Sequence, residues 1–333
     1  MGEIGSEFWD VPIGGQACQV FPPAAQWYIS GRCALQAIIH ELKRYKTVAM
    51  PSWCCDSMVK PFLNAGLEVC FYPVWFENGL KQIVRYDCDI LFLMDYFGYS
   101  APQNDLRNYR GIVIRDVTHS IFSATYDDAD YYFGSLRKWC GVWTGGYAWT
   151  RNGNSHSLKP TSLDDHGYIN LRKHAMEMKE SYIRGEIADK DYLRLYAQAE
   201  DILDNINTVS AAERDMELSQ KLDVEYIKTK RRANAGVLRK AFGEWLLFPE
   251  MKHTDCPMFV PVLVPDNKRN ELRRYLIDHL IYCPIHWPLS EYHSLTEEEQ
   301  YIYDNELSLI CDQRYTVKDM HRIVETIRKF MEA

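Results

Sequence analysis

The sequence predicts an α/β fold: a large domain on a mostly parallel sheet flanked by helices, followed by a smaller C-terminal α+β domain. Three observations lead there. Over the first 150 residues, short apolar runs alternate with helical stretches, as crossover-connected parallel strands require. The run at 89–94, Asp-Ile-Leu-Phe-Leu-Met, is almost continuously apolar, the pattern of a strand covered on both faces. After residue 160 the chain becomes charged and proline-free to residue 242, then mixed again from about 250. The predicted strands are 47–51, 67–72, 89–94, 111–114, 130–133 and 147–150, with helices over 31–45 and 57–65. Ala211, Met216, Leu218, Leu222 and Tyr226 recur at helical spacing and predict long helices there. Residues 258–264 predict a strand that Pro261 confines to an edge or bulge, 270–280 a helix, 281–283 a short strand and 316–330 a closing helix. The large domain is assigned to 1–220 and the small one to 221–333.

Composition limits the function. The 333 residues are 47% hydrophobic and 25% charged, enough for a substantial core. A formal charge of -8 leaves no basic footprint for nucleic acid. No apolar run is long enough to cross a bilayer, and the first residues lack the pattern of a secretory signal, so a cytoplasmic location is expected. Ten scattered cysteines with no C-x-x-C read as reduced thiols, and the histidines lack the spacing of a metal site. No P-loop or dinucleotide fingerprint occurs.

Two strand ends carry the chemistry. One apolar run ends in Asp116-Val-Thr-His119. The next leads through Gly134-Ser135-Leu-Arg to Lys138 and a turn bearing Gly141, Gly145 and Gly146. Ligands of such sheets bind beyond the carboxyl ends of the strands. A lysine able to form an imine and a carboxylate able to hold a pyridine nitrogen protonated are what pyridoxal phosphate chemistry requires. The bland readings are a surface lysine and a loop carboxylate. The aromatic and small neighbours of Lys138 argue against the first. His119, one turn on, is a candidate to support the cofactor ring or to orient Asp116. Ser30-Gly31-Arg32 opens a helix whose N-terminus suits a phosphate, with Ser135 as a further hydroxyl donor. Trp53, closing a strand, is a candidate to lie on the ring. His286 and Arg314 are candidate substrate-binding residues. Arg314 either meets a substrate carboxylate or pairs with Asp312.

Together these segments resemble the DegT-type pyridoxal-phosphate-dependent aminotransferases, a group that includes many nucleotide-sugar aminotransferases. The matching pieces are Glu3-Ile-Gly-Ser-Glu-Phe-Trp9, Ser30-Gly-Arg-Cys-Ala-Leu35, Met50-Pro-Ser-Trp-Cys54, Arg115-Asp-Val-Thr-His119, Gly134-Ser-Leu-Arg-Lys138 and Gly145-Gly146. The resemblance implies the fold-type I architecture and a homodimer with shared active sites. It also implies that Gly31, Arg32 and Ser135 hold the phosphate and that Trp53 stacks on the ring. The segments at 282–287 and 312–315 depart from the family pattern and mark a side branch.

The resulting expectation is an aminotransferase that moves an amino group from an amino acid such as glutamate to a keto group of a nucleotide-linked sugar. Two alternatives use the same residues: another pyridoxal phosphate reaction (lyase, racemase or decarboxylase), and a non-catalytic pyridoxal-phosphate-binding protein.

Overall fold

The strands, in chain order, are β1 (Ile4–Gly5), β2 (Gln26–Tyr28), β3 (Thr47–Pro51), β4 (Glu68–Tyr72), β5 (Val74–Phe76), β6 (Leu80–Gln82), β7 (Ile90–Met94), β8 (Ile112–Asp116), β9 (Tyr131–Ser135), β10 (Gly146–Thr150), β11 (Phe259–Leu263), β12 (Ile281–Tyr282) and β13 (Glu306–Ile310). The helices are α1 (Gly31–Glu41), α2 (Asp56–Asn64), α3 (Tyr168–Ile183), α4 (Tyr192–Leu203), α5 (Glu213–Ser219), α6 (Val224–Ala241), α7 (Arg269–Asp278), α8 (Glu297–Asn305) and α9 (Val317–Glu332). These come from a computed structural model, which describes residues 2–14, 20–100, 105–123 and 127–332.

The main sheet has seven strands among the described residues, in the order β2-β10-β9-β8-β7-β3-β4. The pairs from β4 through β9 are parallel, and β10 runs antiparallel to both its neighbours. All five residues of β7 are buried, which is why its sequence shows no alternation. Helix α1 starts at Ser30, whose hydroxyl accepts from the Cys33 N–H at 3.2 Å. It buries Cys33, Ala34, Leu35, Ala37, Ile38 and Ile39 on the side facing the sheet. Fully apolar strands and one-sided helices thus produce the layered large core expected from the sequence.

A second core gathers Ile4, Ala235, Leu238, Val260, Leu307 and Ile323. Helix α6 joins the two: Ile227 packs in the first core, Ala235 and Leu238 in the second. Strand β11 pairs antiparallel with β13, and Pro261 lies opposite Ser308, so the proline sits in a two-stranded ribbon. The short strand β12 pairs in parallel with β1, which ties the start of the chain to the second core.

Some elements differ from the sequence reading. The apolar series from Ala211 to Tyr226 does not form one helix. It breaks between α5 and α6, where Gly14 N–H bonds to Lys221 O at 2.8 Å and Asp223 N–H to Pro12 O at 2.9 Å. Leu222 bridges to Ile13 there, and Asp223 caps α6 by accepting from the Tyr226 N–H. Its helical spacing therefore arises from two short segments pinned to the N-terminal strap. The β5–β6 hairpin, the edge strand β2, β13 and α8 carry no strong period of their own. The nine described cysteines are free thiols, and Cys18 lies outside the described residues. No described helix is long and apolar enough to cross a membrane.

One close approach sets the geometry around α1. A Cβ placed on Gly146 would lie 1.9 Å from the Ser30 carbonyl oxygen, whereas one on Gly236, within α6, meets nothing within 4 Å. Gly146→Ala is therefore expected to cost about 1–3 kcal/mol by forcing strand and helix apart. Gly236→Ala is expected to stabilise by roughly 0.5–1 kcal/mol through helix propensity. Opposite shifts in denaturant midpoint would show this; equal shifts would contradict it.

Candidate active site

Strands β8 and β9 end side by side, with Asp116 opposite Phe133 in register. Asp116 is the last residue of β8. Lys138 follows β9 at the end of a single 3₁₀ turn, Leu136–Lys138. That turn is fixed by the Leu136 N–H bond to Gly145 O at 2.7 Å and by the fit of β10 against β9. Lys138 borders two cavities.

The smaller cavity, about 180 Å³, is walled by Gly31, Arg32, Asp116, Thr118, Ser135 and Lys138, among others. The N-terminus of α1 opens into it, so the partial positive charge of the first turn faces the space. No acidic residue occupies that turn to neutralise it. Ser135 Oγ is buried without a partner, and so is Arg32 Nε, while Arg32 Nη1 pairs with Asp204. Buried polar atoms without partners are rare, and here they converge on one space. Gly31 packs closely enough that an added Cβ would lie 3.2 Å from Gly134 O and from Ser135 Cβ. Arg137, beside Lys138, pairs instead with Glu200 at 2.7 Å.

Asp116 is 2% exposed, and its Oδ1 accepts from the Thr118 N–H at 2.8 Å. Burial raises its pKa above the ordinary carboxylate value. The Thr118 hydrogen bond and the Lys138 charge oppose the rise, and Asp95 adds to it. His119 accepts from the Phe97 N–H at Nδ1, 3.3 Å, which leaves its own hydrogen at Nε2, 3.5 Å from Lys138 Nζ. Burial, with the charge of Lys138 and the proximity of His286, holds its pKa well below normal, so the ring is neutral. Lys138 has no carboxylate within ion-pair distance among the described residues.

Trp53 sits elsewhere than the sequence reading placed it. It lines neither cavity. One face stacks on Tyr96 at 4.9 Å and 13°, its indole N–H donates to His286 O at 2.9 Å, and it packs edge-on against Trp287. The aromatic stacked on His119 is Trp287, at 5.9 Å and 19°. With its surroundings already filled, Trp53 is a core residue behind the site, not a surface for a ring.

The larger cavity, about 420 Å³, lies on the other side of Lys138, between the N-terminal segment and the second core. Arg314 lines it, and the fork of its guanidinium is given to Asp312: Nε to Oδ1 at 2.9 Å and Nη2 to Oδ2 at 2.8 Å. Nη1 donates to Glu7 O and Nη2 also to Ser6 O, with the group lying over Phe8. Of the two sequence readings of Arg314, the ion pair is the one present. Arg231 on α6, not singled out from sequence, lines the same cavity and differs in kind. It is 1% exposed, and its hydrogen-bond partners are neutral: Gln313 Oε1 at 2.7 Å and Met258 O at 2.8 Å. Its Nη2 has no partner. In the sequence it stands in the run Lys228-Thr-Lys-Arg-Arg232, which reads as a solvated helix face. His286 borders neither cavity directly. It lies behind Phe259, at 5.0 Å between ring centres, and beside His119 at 5.8 Å.

The structure thus brings Gly31, Arg32, Asp116, Ser135 and Lys138 to one cavity, with His119 alongside. No family model and no curated protein matches the sequence. Solved structures do. PseC of Helicobacter pylori, an aminotransferase involved in the biosynthesis of pseudoaminic acid, is 15% identical over 98% of this chain and 100% of its own, with a TM-score of 0.67. NtdA of Bacillus subtilis, solved with bound cofactor PMP, is 13% identical over 93% of this chain and 73% of its own, with a TM-score of 0.63. DesV of S. venezuelae, solved in complex with a ketimine intermediate, is 15% identical over 93% of this chain and 85% of its own, with a TM-score of 0.62. The expected architecture is therefore present: this chain has the fold of the DegT/DnrJ/EryC1/StrS-type sugar aminotransferases.

Proposed function

We propose that the protein is a pyridoxal-phosphate-dependent aminotransferase of the DegT type, acting on a keto group of a nucleotide-linked sugar with an amino acid such as glutamate as donor. The observation that carries this reading is the placement of Lys138 between two cavities. One side offers a helix N-terminus, unpartnered Ser135 and Arg32 atoms and a buried carboxylate; the other offers cationic and aromatic walls. These residues fit the cofactor. The α1 N-terminus, Arg32 and Ser135 suit its phosphate, and Asp116 its ring nitrogen. Pyridoxal phosphate, when bound, supplies an aldehyde that condenses with amines and a ring that accepts the electron pair left when a proton departs.

The chain's own residues do the rest. Asp116, buried beside Lys138, would accept the hydrogen of the protonated ring nitrogen. Lys138 Nζ would hold the cofactor's aldehyde carbon and, as a free amine, would carry the proton taken from the donor's carbon. His119 places an N–H beside that amine and braces Trp287. For the donor's carboxylate we assign Arg231 in preference to Arg314, because Asp312 already neutralises Arg314 whereas the partners of Arg231 are uncharged. Arg273, with no carboxylate in ion-pair distance among the described residues, adds positive charge to the same cavity, which suits an anionic acceptor. The nine free thiols among the described residues fit a reducing cytoplasm, and the fold resemblance supports a homodimer with shared sites. The division into domains at 1–220 and 221–333 is part of the same proposal.

Three variants test the site. Purified protein supplied with pyridoxal phosphate is expected to be yellow and to bleach with glutamate, while Lys138→Ala loses both the band and turnover. A fully active Lys138→Ala would overturn the reading. Asp116→Asn is expected to lose activity on the order of 10²-fold or more. Because burial raises the folded-state pKa of Asp116, its ionisation costs stability that is absent below the unfolded-state pKa, grows as pH rises from there to the folded-state pKa, and is fully present above it. The cofactor-free Asn variant should therefore melt higher than wild type at pH 7–8, with the gap closing in acid. Arg231→Gln should raise KM for the donor by roughly 10- to 100-fold with a smaller effect on kcat, as expected for loss of a charge-assisted hydrogen bond. An unchanged donor KM would return the role to another cation.

A further inference from the structure

The smaller cavity has a second guanidinium on its wall that the reaction as described does not use. Arg137 leaves the same 3₁₀ turn as Lys138, one residue earlier, and lines the space with Arg32, Ser135 and Gly31. Arg32 and Arg137 stand in matching settings. Arg137 Nη1 donates to Glu200 on α4 at 2.7 Å, and Arg32 Nη1 donates to Asp204, the residue that follows α4 and lies one turn on. In both arginines Nε is buried with no partner, and so is the Ser135 hydroxyl on the same wall. Three buried donors around one cavity, two of them on cations, are thus left unused by the fold.

An ion pair can silence an arginine, and water access decides whether it does. Asp312 takes both Nε and Nη2 of Arg314, and those side chains are only 4% and 7% exposed, so that pair is closed on itself. Arg137 is 18% exposed and Glu200 45%; Arg32 is 21% exposed and Asp204 70%. In both pairs the cation is the inner member and the carboxylate the outer one. A carboxylate wetted by solvent is screened, and it cancels little of the charge that its partner presents to the interior. Each carboxylate also holds its arginine by Nη1, which leaves Nε–H for another acceptor.

Resting on the cofactor reading above, we propose that Arg137 binds the cofactor's phosphate together with Arg32, while Glu200 and Asp204 hold the two guanidiniums from the solvent side. Arginine suits this double duty because its planar fork serves a carboxylate with one nitrogen and a phosphate oxygen with another. The result is selection for charge. A phosphate monoester loses its second proton at about pH 6. Two guanidiniums and the α1 N-terminus favour the dianion and move that ionisation lower. Lys138 and Asp116 share the cavity, Glu7 and Tyr168 also lie near Arg137, and Arg172 lies near Glu200.

Inorganic phosphate probes the site in cofactor-free protein. By titration calorimetry, Arg137→Gln is expected to weaken phosphate binding about 10- to 100-fold, as for loss of a charge-assisted hydrogen bond. Arg137→Lys keeps a cation able to reach Glu200 but has no Nε–H; it should also bind phosphate more weakly, and it decides the matter should Arg137→Gln fail to fold. Glu200→Gln keeps an oxygen for Arg137 and removes only the outer charge, so phosphate affinity should be equal or higher. In the loaded enzyme the ³¹P resonance should titrate below the ordinary midpoint, and at a higher pH in Arg137→Gln than in wild type. If Arg137 only anchors α4, its variants will melt lower while phosphate affinity and the ³¹P midpoint stay as in wild type. That result, or a wild-type chain that binds no phosphate, would overturn the proposal, and undiminished uptake of pyridoxal phosphate by both Arg137 variants would do so while leaving the cofactor reading intact. Phosphate binding that depends on Arg137 in a chain that never takes up pyridoxal phosphate would instead sink the cofactor reading and leave the anion site standing.

Discussion

The site depends on one seam, where β10 lies against both β9 and the entry to α1. At Gly146 the absence of a side chain lets the strand touch the Ser30 carbonyl, and the Gly145 N–H reaches Tyr28 O at 3.3 Å. This contact brings the positive end of a helix to the end of a parallel sheet. Ser135, Asp116 and Lys138 then fall around one space without strain from any of them. The chemistry is set by strand ends, and the seam decides which strand ends meet which helix.

Buried charge is distributed unevenly around that space. Where an ionic group serves the fold, it is matched. Arg314 has Asp312, Arg115 has Asp95 and Asp128, and Glu3 has Lys179 and Lys190. Desolvating an ion is costly unless a partner compensates it, so such matching is the ordinary outcome. Around the two cavities, matched pairs such as Arg314–Asp312 and Arg137–Glu200 stand beside groups that are not matched. Asp116 is held by a backbone N–H, Arg231 by carbonyls and an amide, and Lys138 approaches a neutral imidazole. Incomplete compensation inside a fold is a form of preorganisation: under the proposed function, a ligand group would supply the missing half of each interaction.

Much of this was legible in the sequence, for reasons that can be stated. The strands at 89–94 and 130–133 were readable because burial on both faces leaves a run with no alternation. Asp116 and Lys138 were readable because they end such runs. Ser30-Gly31-Arg32 was readable because caps are local. Arg231 was not, since a buried arginine within a run of lysines looks like any solvated helix face. Trp53 was misplaced because sequence shows that an aromatic closes a strand but not that Tyr96 already covers it. The link from Arg137 to Glu200 spans 63 residues and two elements, and no spacing rule connects them.

The start of the chain is built into the wall of the larger cavity. Ile4 and Gly5 pair with β12, Glu3 is clamped by two lysines, Ser6, Glu7 and Phe8 face the space, and the carbonyls of Ser6 and Glu7 are gripped by Arg314. Helix α9, by contrast, contributes nothing to that lining. A purification handle or carrier fused ahead of residue 3 would therefore press on the wall of that cavity. One appended after α9 would leave it alone, so the choice of which terminus to decorate is also a choice about the shape of that space.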